Sequence, residues 1–462
     1  MAWEKLTLAR RNSVVPLVSL SVVWAALVIA AAFLTNFDEP YLPFAIGGAL
    51  VFFLRGAPSR WEIYAWLSTS VLFVKIVHLP QVPFWVLRVA SSFAVLGFSA
   101  LLLLGLRALW SEREGRENAL ALIVPAVVLI VFMLACANML RLTSGLSPDT
   151  DDAWLYAFDG TLGFQPSFWV GRIMYDSAVL TRITLLTYLS LPFAMAVVCA
   201  CKIPVAARRV SWHVLTVLSL AGVAGWLFYN VVPGTGPIYA FARDFPWNSV
   251  PYKDLSKFAL EKMPIPLGIP RNGMPSLHVG WLILLWWNSR GFPKVLRAAL
   301  ALYLFLTVVA TLGTGQHYFV DLVVSMPFAL AVQAAASYAL PNINAFQVGR
   351  RTPQGLKPAS SQALSGTAKA VPCPKTIHET RSGNSRHITA LVAGLGLTLA
   401  WLLLVRFGVP WALKSPVIPW TLIVATASIT LWLESWMAKC NSAKAATENV
   451  PVFLPKLARS LR

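Results

Sequence analysis

Two histidines and one aspartate stand out in a chain that is otherwise mostly apolar. His278 closes the segment Arg271-Asn272-Gly273-Met274-Pro275-Ser276-Leu277-His278, and His317 and Asp321 lie in Gly313-Thr314-Gly315-Gln316-His317-Tyr318-Phe319-Val320-Asp321. The spacing of His317 and Asp321 puts them on one helix face. A histidine held by a carboxylate at one ring nitrogen offers the other as a nucleophile toward phosphorus. A second histidine can protonate the departing oxygen. Arginine and the amides of a helix start can hold phosphoryl oxygens. The roles expected are His317 as nucleophile, Asp321 as the group that sets its tautomer, and His278 as acid and then base. Arg271 and Ser276 are expected on the phosphate, with Arg243 and Lys262 as further candidates if loop 233–276 folds over the site. A lone histidine usually just satisfies a local hydrogen bond, but two at helix mouths, one with a carboxylate partner, point to chemistry. Arginine and imidazolium supply the positive charge, so neither a metal nor another cofactor is expected.

The elements around these motifs must bring them together. Apolar segments 279–288 and 298–312 flank the basic turn 289–294, so a helical hairpin would return His317 to the side that His278 occupies. Hydrophobic residues make up 57% of the 462 and charged residues 12%, with mean hydropathy +0.65, which is not a soluble profile. Twelve runs read as spans: 14–34, 42–54, 63–77, 82–106, 119–140, 185–201, 210–232, 279–288, 298–312, 317–340, 388–409 and 417–437. The first is too long for a cleavable signal peptide. The expected fold is an all-α polytopic membrane protein of about 12 transmembrane helices. N-terminal helices occupy 1–140, a catalytic core 141–340, a basic flexible linker 341–387, and a C-terminal hairpin with a basic tail 388–462. His378 and His387 of the linker read as solvated, since nothing there builds a shielded pocket.

The net charge of +19 comes from 38 Lys and Arg against 19 Asp and Glu, clustered between apolar runs. That pattern indicates membrane topology and contact with anionic lipids. No nucleic acid partner is expected, because no binding module accompanies the charge. With the N-terminus in the cytoplasm, the turns bearing Arg55, Arg107, Arg208 and Arg290 all fall inside, and outer turns 35–41 and 78–81 carry no Lys or Arg. Both termini are then cytoplasmic and the histidines extracytoplasmic, in a plasma membrane (the inner membrane of a bacterium). The five cysteines form no metal-ligand spacing or disulfide framework. Asp149, Asp151, Asp152 and Asp159 read as helix caps or solvated carboxylates in preference to a divalent-cation site.

The run Pro275-Ser276-Leu277-His278 after Arg271, followed by Gly313 to Leu322, resembles the second and third motifs of the type 2 phosphatidic acid phosphatase (PAP2) superfamily. It is most similar to the inositolphosphotransferase branch, that of inositol phosphorylceramide synthase. Thr311 stands where the phosphatase branch has an arginine, and Pro233-Gly234-Thr235-Gly236-Pro237-Ile238-Tyr239 resembles the Pro/Gly-rich segment of the transferase branch. The resemblance covers residues 150–340 and implies a PAP2-like helical core, a phosphohistidine at His317, and the same roles for His278 and Asp321. The partners it implies are a lipid phosphate or phospholipid substrate and a possible alcohol acceptor. Hydrolysis by a lipid phosphate phosphatase shares the phosphohistidine step and is the alternative. From other classes, a transporter would place ionisable groups near the bilayer midplane, whereas these histidines sit at helix mouths; a non-catalytic membrane scaffold is the remaining reading.

Overall fold

The computed structural model describes residues 41–77, 85–203, 212–339 and 377–445. The run 14–34, most of the linker and most of the basic tail lie outside the described residues. The N-terminal helices are α1 (Tyr41–Gly47), α2 (Ala49–Arg55), α3 (Arg60–Val77), α4 (Trp85–Trp110) and α5 (Arg113–Leu146). The core holds α6 (Asp152–Gly160), α7 (Pro166–Tyr175), α8 (Ala178–Leu189), α9 (Leu191–Lys202), α10 (Trp212–Tyr229), α11 (Leu277–Asn288), α12 (Lys294–Gly313) and α13 (Phe319–Ala339). A hairpin of α14 (Ile377–Phe407) and α15 (Val417–Ala445) follows. The sheet among the described residues is one antiparallel pair, Asp149–Thr150 with Met263–Pro264.

Helices dominate because each satisfies its own backbone polar groups, the condition for crossing hydrocarbon. Their apolar residues serve two environments. Leu284, Leu285 and Phe328 are buried between helices, while Leu302, Phe305 and Trp432 face outward.

Seven described helices are long and apolar enough to cross a bilayer, and an eighth results if α8 and α9, bent by 52°, form one broken span. Twelve spans are not found among the described residues: the run 14–34 lies outside them, and three further segments do not qualify. Segment 42–54 is split into α1 and α2, of 7 residues each. Segment 63–77 lies in α3, whose 18 residues include the charged Arg60, Glu62 and Lys75. Segment 279–288 lies in α11, whose 12 residues rise only about 18 Å against a hydrocarbon core of about 30 Å.

The C-terminal hairpin is part of the packed body. On α14, Gly394 allows close backbone approach to α13, since a Cβ there would stand 2.7 Å from Ala331 N. The buried Glu434 of α15 pairs with Arg290. Helix α14 begins at Ile377, inside the stretch read as linker. His387 is buried, not solvated, because the helix already packs on α15 there: Arg386 lies 5.2 Å from the Trp436 ring. At the other end of the chain, α1 and α2 wedge against α4 and α9, bringing Tyr41 to the core.

Candidate active site

After α12 ends at Gly313, the chain turns through Thr314–Tyr318 and enters α13 at Phe319. Asp321, in the first turn of α13, reaches back across the helix start. Its Oδ2 lies 3.2 Å from His317 Nδ1 and accepts the Tyr318 amide at 2.9 Å. A carboxylate there requires the proton on Nδ1, which leaves the Nε2 lone pair free. His317 and Asp321 are fully buried. His317 Nε2, Asp321 Oδ1 and Ser276 Oγ have no hydrogen-bond partner among the described residues.

The second motif is tied directly to the first. The Ser276 amide donates to the Asp321 carbonyl at 3.2 Å, and Ser325 Oγ lies 2.8 Å from both the Ser276 and Asp321 carbonyls. Ser276 opens α11 without capping it through its side chain, so its hydroxyl stays available to a ligand. His278, half-buried in the first turn, stacks on Tyr188 with centroids 3.9 Å apart and planes at 11°. Tyr41 of α1 lies 5.4 Å from the same ring. Burial first, and the charge of His317 second, lower the pKa of His278.

Helix α6 holds this arrangement through two carboxylates on one of its faces. Asp159 accepts the Phe319 and Val320 amides at 2.6 and 3.0 Å, so it caps α13 from a distant helix. Asp152 accepts the Thr235 amide and hydroxyl at 3.0 Å each, the Gly236 amide at 3.0 Å and the Tyr318 hydroxyl at 2.9 Å. Burial raises the pKa of both carboxylates, and the hydrogen bonds they accept oppose that rise. Neither is a solvated carboxylate.

Asp152 thereby joins loop 233–237 to the residue after His317. The loop also touches both motifs: Ile238 N donates to Gly315 O at 3.0 Å, and Gly234 lies against Gly273. Gly236 has φ +90°, and a Cβ on it would stand 2.4 Å from Gln316 O. Gly236→Ala is therefore expected to cost about 2 kcal/mol or more and to lower kcat about tenfold or more by shifting His317. Thermal melting and turnover measured on the same preparation check this; unchanged kcat would detach the loop from the site.

Loop 233–276 does fold back over this region. Phe245 packs on Phe168 at 5.1 Å and against Gly315, Arg172 donates to the Pro246 carbonyl at 2.9 Å, and Tyr156 OH accepts the Val250 amide at 2.7 Å.

The expected phosphate contacts are placed differently. Arg271 is fully buried, and its guanidinium donates to the carbonyls of Ser147, Pro148, Ile265, Pro266 and Ile269. It pins the chain before α6 to the chain before Ser276, and has no donor left for phosphate. Arg271→Met is expected to destabilise by about 3 kcal/mol or more, since it strands buried carbonyls. The KM of the folded fraction should stay within about twofold, the behaviour of uniform binding left intact. A large KM increase with an unshifted melting temperature would restore Arg271 as a phosphate clamp. Arg243 is exposed on a short 3-10 turn. Lys262 pairs with Asp151 at 3.5 Å, where Arg406 of α14 also binds at 3.0 Å and lies 3.9 Å from the Trp154 ring. Arg406 thereby ties the C-terminal hairpin to the start of α6, and Lys262 ties loop 233–276 to the same carboxylate.

The sequence reads Asp152 and Asp159 only as helix caps or solvated carboxylates, and it gives no role to Tyr188 or Tyr41. The available signal was the spacing of Asp152 and Asp159, which puts both on the buried face of a short apolar helix. For the tyrosines there was none.

No curated protein and no solved structure gives a match. The family model of the PAP2 superfamily matches residues 153–335, the stretch from α6 into α13 that holds both histidines, Asp321 and loop 233–276. Over that core the chain is similar to a superfamily of phosphatases and phosphotransferases.

Proposed function

We propose that the protein is a membrane phosphotransferase of the inositolphosphotransferase type. It moves a phosphoryl or phosphodiester group from a lipid donor to an acceptor alcohol, at the extracytoplasmic face. The observation that carries this reading is the buried His317, tied to Asp321 through Nδ1 and with a partnerless Nε2, in a helix start that the Ser276 amide joins to the motif holding His278. Nε2 attacks phosphorus, the N–P bond forms, and the P–O bond to the leaving alcohol breaks as His278 gives a proton to that oxygen; burial lowers the pKa of His278, and the anionic phosphate of the bound donor supplies the opposite charge that holds its imidazolium. His278, now neutral, takes the acceptor's hydroxyl proton while the acceptor oxygen attacks phosphorus. The N–P bond breaks and His317 is restored. Asp321 stabilises the positive charge that the His317 ring carries while phosphorylated. Ser276 Oγ and the start of α11 face the phosphoryl oxygens.

Two features favour transfer over hydrolysis. The nucleophilic nitrogen is buried under a loop rich in aromatic residues, which limits water's access to the intermediate. Thr311 is buried and bonded to Thr307 of its own helix, so it supplies no cation. The test supplies a radiolabelled phospholipid donor with ceramide, diacylglycerol, inositol or a glycan as acceptor and follows both products. Label in an acceptor product supports transfer. Label found only in the hydrolysis product, with every acceptor, makes the protein a lipid phosphate phosphatase.

A further inference from the structure

We infer that a cavity between the N-terminal helices and the core is the slot for one alkyl chain of the lipid alcohol that leaves from, and attacks at, the His278 side. This rests on the acid–base role of His278 proposed above. The cavity, of about 90 Å³, is lined by α5, α10, α11 and Tyr41 of α1. Its polar groups gather at the start of α11: His278 and Asn272, with Tyr41 against the His278 ring and the Tyr229 hydroxyl 3.3 Å from the Leu277 amide. The rest of the wall is apolar, including Met133, Cys136, Ala137 and Leu140 of α5.

Those four residues follow helical spacing and form one stripe, about 10 Å long from Met133 to Leu140. Opposite them on α10, Gly222 keeps the space open: a Cβ there would stand 3.2 Å from Cys136 Sγ. An apolar cavity of this kind holds hydrocarbon better than water. A ligand with a hydroxyl at His278 and a chain along the α5 stripe satisfies both ends. His278 handles the proton of the alcohol and not the group carried by His317, so the chain belongs to the alcohol. Helix α5 lies outside residues 153–335, so this wall is added to the core that the superfamily match covers.

The test is photoaffinity mapping with a long-chain primary alcohol carrying a diazirine on its chain, applied to the full chain in nanodiscs and read by peptide mass spectrometry. Expected are crosslinks at 133–140 and 222–229 that compete with unlabelled long-chain alcohol and fall at least tenfold in Ala137→Phe. Crosslinks on the outward-facing Leu302 and Phe305 serve as the internal reference. Cys136→Phe carries the same test if Ala137→Phe does not purify. The slot is overturned if labelling is confined to outward-facing residues, or if labelling of 133–140 persists undiminished in the filled variant. Mapping on His317→Ala gives the same answer without turnover. A failure here is thereby separate from a failure of the phosphotransfer reading, which the phosphoenzyme reports.

Discussion

A protein with alanine at position 317 should lose at least about 10⁴-fold in kcat, because removing the nucleophile abolishes the covalent step altogether. The fold should survive the change. Among the described residues the His317 ring makes one hydrogen bond, to Asp321, and the turn is also held through the backbone: the His317 carbonyl accepts from Ser167 Oγ at 3.0 Å. The loss should therefore appear at nearly unchanged melting temperature. Turnover with a donor radiolabelled at phosphorus, quenched in alkali, should leave label on the wild-type chain, stable to base and released by acid, within the peptide containing His317. His278→Ala separates the two imidazoles. It should still be labelled by a p-nitrophenyl ester, whose leaving group hardly needs a proton, and should fail with alkoxide leaving groups. Label that persists in His317→Ala, or that maps to another peptide, would remove His317 from the nucleophile's role.

The proposed trio could be picked out in the sequence because each member announces itself locally. His317 and Asp321 are in contact across one helix start, and His278 follows a proline-led helix mouth. The groups that position the trio were not legible for the opposite reason. Asp159 meets its amide partners 160 residues away, and Asp152 meets Tyr318 166 residues away. Their acceptors' partners are mostly backbone N–H groups, which carry no side-chain signature. Arg271 shows the same limit from the other direction. An arginine beside a phosphate motif reads as a cation for phosphate, while the carbonyls that enclose it, from 147–148 and 265–269, belong to two segments that only the fold brings together. The span count differs from twelve on length at α11, which is strongly apolar but only 12 residues long and buried among other helices, and on charge at α3, which carries Arg60, Glu62 and Lys75. The segment 377–387 has the composition of a linker, yet it is helical, and Arg386 within it lies against the Trp436 ring of α15.

Asp152→Asn is expected to inactivate the protein while leaving His317, His278, Asp321 and Ser276 in place. The side chain is buried, and its two oxygens face only donors: the Thr235 and Gly236 amides and the Thr235 and Tyr318 hydroxyls. Asparagine in either orientation turns an NH₂ group toward at least one of those backbone amides, so a bond is lost and a donor is stranded. The expected destabilisation is about 3 kcal/mol. The catalytic consequence follows from position: Tyr318 adjoins His317, and Gly236 lies against Gln316, so a shift of about 1 Å in either should lower kcat about 100-fold. Tyr318→Phe removes one of these bonds and keeps the charge and the loop, so it should cost about 1 kcal/mol and much less activity. Because both changes act on one network, the double variant should lose less than the sum of the two single losses. The readout that distinguishes positioning from simple instability is kcat per phosphorylatable site, obtained by titrating the phosphoenzyme at a temperature where the variant is folded. If Asp152→Asn retains the wild-type kcat on that basis, α6 acts only on stability and the placement of His317 does not depend on it.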